Sequence, residues 1–254
     1  MNRILLAVFA LAIAQDPPMP VEPAKPTEVK PAPQEKKLSE AEAFLKKVEE
    51  KATKAKSLRY KAKLTLNEGG KEMGLDGEGS AKEGKFKLDM GGEIEGKPLQ
   101  VTITCDGKRM RTESVNPGGR AEPQTIDAPK DAADDIRLLL VRVGALVTMV
   151  LGDHKRDEAK ELKALFDVSG VKFGKEEKIK DRAAKVLEYT LTFNGKGAAD
   201  NNTAEAKLWV DAETLTPIKR EMTTSRGEAF TETFSEWKFD EEIKDDVFAL
   251  PKEK

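Results

Sequence analysis

The chain of 254 residues contains one cysteine, Cys105, and one histidine, His154. A single cysteine excludes an intramolecular disulfide and any site built from several thiolates, such as a structural zinc or iron–sulfur centre. A single histidine excludes metal sites that need several imidazole ligands. The sequence therefore predicts no metal site and no cofactor.

Aromatic residues and an excess of either charge are also scarce. Aromatics make up 6% of the chain, and 44 Lys and Arg face 46 Asp and Glu, for a formal charge of −2. Binding to nucleic acid requires a net or clustered excess of basic side chains that neutralises phosphates, so that class of partner is disfavoured. With few large rings, a core must be built mainly from aliphatic side chains.

Motifs of common catalytic sites are missing. The chain has no Gly-x-Ser-x-Gly nucleophile elbow and no Gly-Lys pair followed by Ser or Thr, as a phosphate-binding loop requires. His154, between charged neighbours, could act as a general base, but an exposed loop position explains it better. Cys105 alternates in phase with Val101 and Ile103, which favours a buried, inert thiol over a reactive one. The sequence predicts no catalytic residue and no enzyme.

The first 14 residues have the pattern of a secretory signal peptide. Arg3 supplies the positive charge, the apolar run 4–11 is well below the ~20 residues of a membrane span, and Ala12-Ile13-Ala14 fits a small-x-small cleavage site. An uncleaved anchor is the alternative, and no cysteine near the cleavage point could carry a lipid. We expect a periplasmic or extracellular protein that is peripheral to the membrane and does not span it.

Residues 15–37 hold seven of the chain's thirteen prolines among Glu, Lys and Ala. Proline fixes φ and removes a hydrogen-bond donor, so this composition predicts a disordered linker of extended, polyproline-II character. A ligand segment for a partner is the alternative. The remaining residues, 38–254, are expected to form one domain.

Hydrophobic spacing predicts the elements of that domain. Ser39 to Glu42 forms a capping box, followed by apolar residues at helical spacing to about Lys56. Period-two alternation then predicts strands that include Leu58–Leu66, Phe86–Met90 and Val101–Cys105. Nine of nineteen glycines lie between Gly69 and Gly96, and glycines within strands mark bulges and bends, so the sheet should curve strongly.

The most apolar stretch outside the N-terminus predicts one helix over Ile136–Leu151, preceded by a loop over 116–130. Only Arg142 is charged between Leu138 and Leu151, so the helix should be buried nearly all round. It is either the core helix of an α+β domain or a lid over an apolar cavity. A short helix is expected at 159–166, and strands then resume and continue to about residue 239.

Three short motifs stand in the C-terminal part of the chain: LWVDAETLTPIK at 208–219, FTETF at 230–234 and IKDDVFALP at 243–251. The first resembles a strand–turn–strand of the LolA-like superfamily, which contains the periplasmic lipoprotein carriers LolA and LolB, and the other two agree with the family's ending. Residues 77–88 are similar to its glycine-flanked second and third strands, and 104–108 (TCDGK) to its Ser-Asp-Gly-Lys hairpin. The family's lid-locking arginine, which precedes a proline, has no counterpart in SAKEG at 80–84.

The resemblance implies an α+β fold: an unclosed, strongly curved antiparallel β-barrel with an N-terminal helix, and inserted lid helices on its concave side. It further implies a non-catalytic carrier of lipid or lipoprotein acyl chains in the cell envelope, with a lipid or an acylated protein as partner. A structural or stress-sensing envelope module that binds a protein partner, without lipid, is the alternative. The expected ligand-binding residues around the cavity are Ile136, Leu139, Leu140, Val143, Val147, Phe86, Leu88, Ile103, Leu191 and Leu208.

Overall fold

A computed structural model describes residues 38–68, 71–153, 162–179, 182–194 and 203–251. The predicted signal peptide 1–14, the predicted linker 15–37 and His154 lie outside these residues. In the described part, no helix combines the length and the hydropathy needed to cross a bilayer.

The described elements are three α-helices, two 3₁₀ turns and thirteen strands. The helices are α1 (Glu40–Lys54), α2 (Ala132–Arg142) and α3 (Leu146–Asp153), and the turns cover Leu162–Leu165 and Asp245–Phe248. The strands are β1 (Ser57–Glu68), β2 (Lys71–Lys82), β3 (Lys85–Ile94), β4 (Lys97–Cys105), β5 (Arg109–Asn116), β6 (Gly119–Arg120), β7 (Gln124–Asp127), β8 (Phe166–Phe173), β9 (Glu177–Ile179), β10 (Arg182–Phe193), β11 (Thr203–Asp211), β12 (Pro217–Thr224) and β13 (Ala229–Phe239).

Helix α1 begins with the predicted capping box. The Ser39 amide donates to the Glu42 carboxylate at 2.7 Å, and the Glu42 amide donates to the Ser39 hydroxyl at 3.2 Å. The helix ends at Lys54, two residues before the predicted end, because Ala55 adopts an extended conformation. The Lys56 amide then donates to Asp240 at 2.7 Å, which leads the chain directly into β1.

The strands form one antiparallel sheet in the order β6-β5-β4-β3-β2-β1-β13-β12-β11-β10-β8, with β7 on β5 and β9 on β10. The first and last strands of the chain, β1 and β13, pair in the middle of the sheet. Among the described residues β8 pairs only with β10, so the sheet does not close into a barrel. The predicted fold class is confirmed.

Inward residues from both halves of the sheet join the helices in one hydrophobic cluster. It contains Leu64 and Phe86 from one half, Leu191 and Leu208 from the other, and Leu139 of α2. A sheet whose two halves contact the same helices must curve around them, and glycine permits this at a close approach. A side chain at Gly77 would place its Cβ atom 2.8 Å from that of Ala145. Cys105 is fully buried, as its alternation predicted.

The predicted single helix 136–151 is wrong. The chain forms α2 and α3 instead, separated at Val143–Ala145, where Gly144 takes a φ of +76° that an α-helix cannot accommodate. The predicted loop 116–130 is also partly wrong, because it contains β6 and β7, which pair with β5. In the predicted helix 159–166, the described residues begin with a 3₁₀ turn, and Phe166 already belongs to β8.

The turn that links β11 to β12 is held by Asp211. Its Oδ1 atom accepts hydrogen bonds from the amides of Glu213 at 3.0 Å and Thr214 at 2.8 Å. Burial acts to raise the pKa of Asp211, but these hydrogen bonds outweigh it and hold the pKa below its ordinary value. The Asp211 carboxylate therefore stabilises the fold fully at a pH above its pKa in the unfolded chain, about 3.9. This stabilisation is lost as the pH falls through its lower pKa in the folded protein.

Asp211→Ala is expected to lower the free energy of unfolding by about 2 kcal/mol at pH 7, because two amides lose a charged acceptor. The difference from the wild type should narrow as the pH falls below about 3.9. Urea unfolding curves at pH 7 and at decreasing acid pH measure both effects. A difference that stays constant across this range would show that the carboxylate charge has no part in holding the turn.

Candidate functional site

The break between α2 and α3 lies on a buried ion pair of the sheet. Arg220 of β12 and Glu232 of β13 are direct partners in the strand register, and their side chains are 0% and 1% exposed. The Arg220 Nη1 atom donates to Glu232 Oε2 at 2.6 Å. We call the segment Val143–Ala145 together with this pair the helix junction.

Arg220 also binds the C-terminal end of α2. Its Nη2 atom donates to the carbonyl oxygens of Val141 at 2.5 Å and Leu140 at 3.3 Å. Tyr189 of β10 donates its hydroxyl to the next carbonyl, that of Arg142, at 2.8 Å. The last carbonyls of a helix have no intrahelical partner and carry a partial negative charge, so a guanidinium and a hydroxyl satisfy them well.

Glu232 binds the start of α3, as Arg220 binds the end of α2. Its Oε1 atom accepts a hydrogen bond from the Ala145 amide, directly before α3, at 2.7 Å. A helix N-terminus carries a partial positive charge, which a carboxylate stabilises. The cation of the pair therefore faces the negative end of one helix, and the anion faces the positive end of the next.

Gly144 makes this contact possible. A Cβ atom at this position would lie 1.9 Å from both Arg220 Nη1 and Glu232 Oε2, and the φ of +76° disfavours any other residue. The backbone of the junction therefore touches the ion pair without an intervening side chain.

Other polar groups lie near the junction. Burial raises the pKa of Glu232, and the neighbouring guanidinium and Ala145 amide act against this rise. Burial also raises the pKa of Tyr60, and the negative charge of Glu232 adds to the effect. The Tyr60 hydroxyl and Thr148 Oγ1 are neighbours here, and both are buried together with Arg220 Nε. The inner face at this point thus combines an apolar surround with polar groups.

All ten residues expected to line a cavity lie in the main hydrophobic cluster, each at most 4% exposed. Ile136, Leu139 and Leu140 belong to α2, Val143 to the junction and Val147 to α3. The other five come from the sheet: Phe86, Leu88, Ile103, Leu191 and Leu208. The structure therefore brings the five predicted residues of the helices and their junction together with the five of the sheet. Their role in binding a ligand remains a prediction.

A groove of about 630 Å³ lies elsewhere, across β1 to β4. Its lining includes the exposed charged side chains of Lys61, Lys63, Asp76 and Glu78, which alternate with buried residues of the same strands. These charges lie on the face of the sheet that is turned away from α2 and α3, so the groove lies apart from the predicted cavity.

The site residues predicted from the sequence did not include Arg220, Glu232 and Tyr189. A signal for the ion pair was present, because Arg220 is two residues before the buried Met222, and Glu232 lies between the buried Phe230 and Phe234. Period-two alternation places both charges on the inward face. A buried charge needs a partner, so two opposite charges at inward positions of consecutive strands indicate an ion pair.

No family model matches the sequence, and no curated protein matches it. Among solved structures, a LolA superfamily protein from Nitrosomonas europaea is similar at 13% identity over 83% of this chain and 97% of that one, with a TM-score of 0.34. The lipoprotein LppX from Mycobacterium tuberculosis is similar at 10% identity over 80% and 97%, with a TM-score of 0.40.

The MucA/MucB complex of Pseudomonas aeruginosa is similar at 14% identity over 84% of this chain and 62% of that one, with a TM-score of 0.41. The solved structures similar to this chain thus include the superfamily that its sequence motifs resemble. The fold itself follows from the strand order and the helix positions: an unclosed antiparallel sheet that curves around α2 and α3.

Proposed function

We propose that this protein is an exported, non-catalytic carrier of lipid or lipoprotein acyl chains, with α2 and α3 as a lid on the concave face of the sheet. The observation that carries the proposal is the helix junction. The two helices contribute a continuous apolar layer, yet at its centre they are held by hydrogen bonds to a buried ion pair.

Stability alone does not favour this arrangement. Replacing a buried ion pair by apolar residues of similar size is often neutral or stabilising, so a close-packed apolar contact would hold a permanent core helix at least as well. Hydrogen bonds to a preformed ion pair have a defined geometry, so a lid that has opened can re-form the same bonds when it closes. Such a lid fits the proposed role.

The apolar residues beneath the helices would bind the ligand. Leu139 and Val147 contact the same cluster as Phe86 and Ile103, and parting these layers would expose apolar surface on both sides. Each methylene of an acyl chain that covers this surface contributes about 0.8 kcal/mol, so long chains are favoured over short ones.

A partner protein at the sheet edge is the second candidate. Strand β8 is unpaired on one side among the described residues, and Phe173 at its end is 40% exposed. At the opposite end of the sheet, β5 is paired with β6 and β7 in addition to β4. The register shift between β8 and β10 and the positive φ of Gly170 distort the free edge, and such distortions hinder strand addition. The lid is therefore the better supported site.

A reversible crosslink between lid and sheet tests the carrier function. A Cβ atom at Gly152 of α3 would lie 3.7 Å from the Cβ atom of Val101 in β4, which suits a disulfide. In a Cys105→Ala background, oxidised Val101→Cys/Gly152→Cys should lose uptake of a fluorescent long-chain fatty acid, because the lid cannot leave the sheet. Reduction should restore it.

The matched control is Val101→Cys alone in the same background, which should bind the probe equally under oxidising and reducing conditions. Since each protein is compared with itself, a folding defect that is present in both redox states cannot imitate the expected result, and circular dichroism of the oxidised form checks its fold. Equal uptake by the oxidised and reduced double variant would show that the ligand does not enter beneath α3.

A further inference from the structure

We infer that, when the lid is open, Arg220 and Tyr189 bind carbonyl oxygens of the ligand in place of those of α2, so that the protein selects ester-linked over ether-linked acyl lipids. The inference rests on the proposed function and adds the chemical class of the ligand. It starts from an unusual feature of the closed form, in which two side chains of the sheet hold three consecutive backbone carbonyls, those of Leu140, Val141 and Arg142.

The two donors face the same space from nearby strands. Tyr189 lies on β10 and Arg220 on β12, with β11 between them, and both are buried on the inner face. The guanidinium is close enough to Tyr189 to oppose the rise in the pKa of its hydroxyl that burial causes. The two donors therefore form one site for several acceptor oxygens.

Departure of α2 removes the acceptors from both donors but leaves the ion pair intact. The Arg220–Glu232 contact of 2.6 Å lies within the sheet, whereas the carbonyls of Leu140 and Val141 leave with the helix. The site then presents an unsatisfied guanidinium nitrogen and an unsatisfied hydroxyl in apolar surroundings. Buried donors without partners are costly, so a ligand that supplies acceptors is favoured.

The charge balance identifies the acceptor. Because Glu232 already neutralises Arg220, a carboxylate or phosphate at this point would leave a net buried negative charge, and an ammonium would leave a positive one. A neutral carbonyl oxygen replaces a backbone carbonyl without changing charge. The ester groups of a diacyl lipid carry two such oxygens at the start of the chains, and the chains can extend over the apolar residues of the sheet.

Two lipids that differ only in these oxygens provide the test. Dipalmitoylglycerol has two ester carbonyls, and di-O-hexadecylglycerol has the same chain length with ether links. In displacement of a bound fluorescent fatty acid, the wild type should bind the diester roughly 10-fold or more tightly than the diether, which corresponds to the loss of about one hydrogen bond to a charged group.

Each of two variants removes one of the two donors and should reduce the preference for the diester severalfold, while binding of the diether is retained. Tyr189→Phe removes the hydroxyl, and the pair Arg220→Met/Glu232→Leu removes the guanidinium without leaving a lone charge. Thr190→Val is the matched control on the same strand, since the Thr190 hydroxyl donates to Glu205 at 3.0 Å and not to α2, and its preference for the diester should equal that of the wild type.

Equal binding of both lipids by the wild type would overturn the inference and leave the carrier function standing. An unchanged preference in Tyr189→Phe and in the double variant would also overturn it. Failure to displace the bound fatty acid with either lipid would overturn the inference alone, whereas failure of the wild type to bind the fatty acid itself would overturn the proposed function as well.

Discussion

Glu232→Gln is expected to lower the free energy of unfolding by about 3–5 kcal/mol, because the neutral amide leaves the fully buried Arg220 without a counter-charge. Glutamine keeps the size of the side chain, so the loss is not due to a cavity. The double substitution Arg220→Met/Glu232→Leu leaves no lone buried charge and should recover part of this loss, while the Ala145 amide and the last carbonyls of α2 still lose their partners. Urea unfolding at pH 7 measures both variants.

A surface pair provides the control for this experiment. Lys61 and Glu78 are 3.5 Å apart and more than half exposed, so Glu78→Gln should change stability by less than about 1 kcal/mol. If Glu232→Gln cost no more than Glu78→Gln, the buried charge pair would not stabilise the helix junction. If the double variant were as unstable as the single one, the loss would come from the hydrogen bonds to the helix ends and not from the lone charge.

Gly144→Ala is expected to lower the free energy of unfolding by about 4 kcal/mol or more. A positive φ costs alanine about 1–2 kcal/mol, and the added methyl group must also displace Arg220 or Glu232, whose atoms lie 1.9 Å from the Cβ position. Disruption of a buried pair costs about 3–5 kcal/mol when one charge is left without its partner. Thermal or urea unfolding, with circular dichroism as the signal, measures the loss.

Gly84→Ala separates the cost of the positive φ from the cost of displacing the ion pair. Gly84 has a φ of +81°, close to that of Gly144, but no atom lies within 4 Å of its Cβ position. Its replacement should cost only the backbone part, about 1–2 kcal/mol. Similar losses for the two variants would mean that the ion pair moves freely away from the methyl group and that the junction is not closely fitted.

Local patterns predicted most elements of the fold. The Ser39–Glu42 capping box depends on residues three apart, and it forms as predicted. Alternation along β1, β3 and β4 identified the strands and the buried position of Cys105, because a half-buried strand repeats every two residues. The resemblance of short motifs to LolA-like proteins added the arrangement: an unclosed sheet with helices inside it.

The break at Gly144 could not be predicted from its own neighbours. An apolar run with a single central glycine is compatible with one continuous helix at a cost of about 1 kcal/mol, and that was the expectation. The chain breaks there because Arg220 and Glu232, more than 70 residues later in the sequence, occupy the space beside it. Only the pairing of β12 with β13 brings those two charges together beneath the end of α2.

Composition and periodicity were thus sufficient to predict α1, most of the strands, the curvature of the sheet and the apolar stretch that covers it, since each depends on residues close together in the chain. The tertiary structure decided that this stretch is two helices, and that a charged pair and Tyr189 hold their junction. The reason is physical: the carbonyls at the end of α2 and the amide before α3 need partners, and the strands that supply them meet only in the folded sheet.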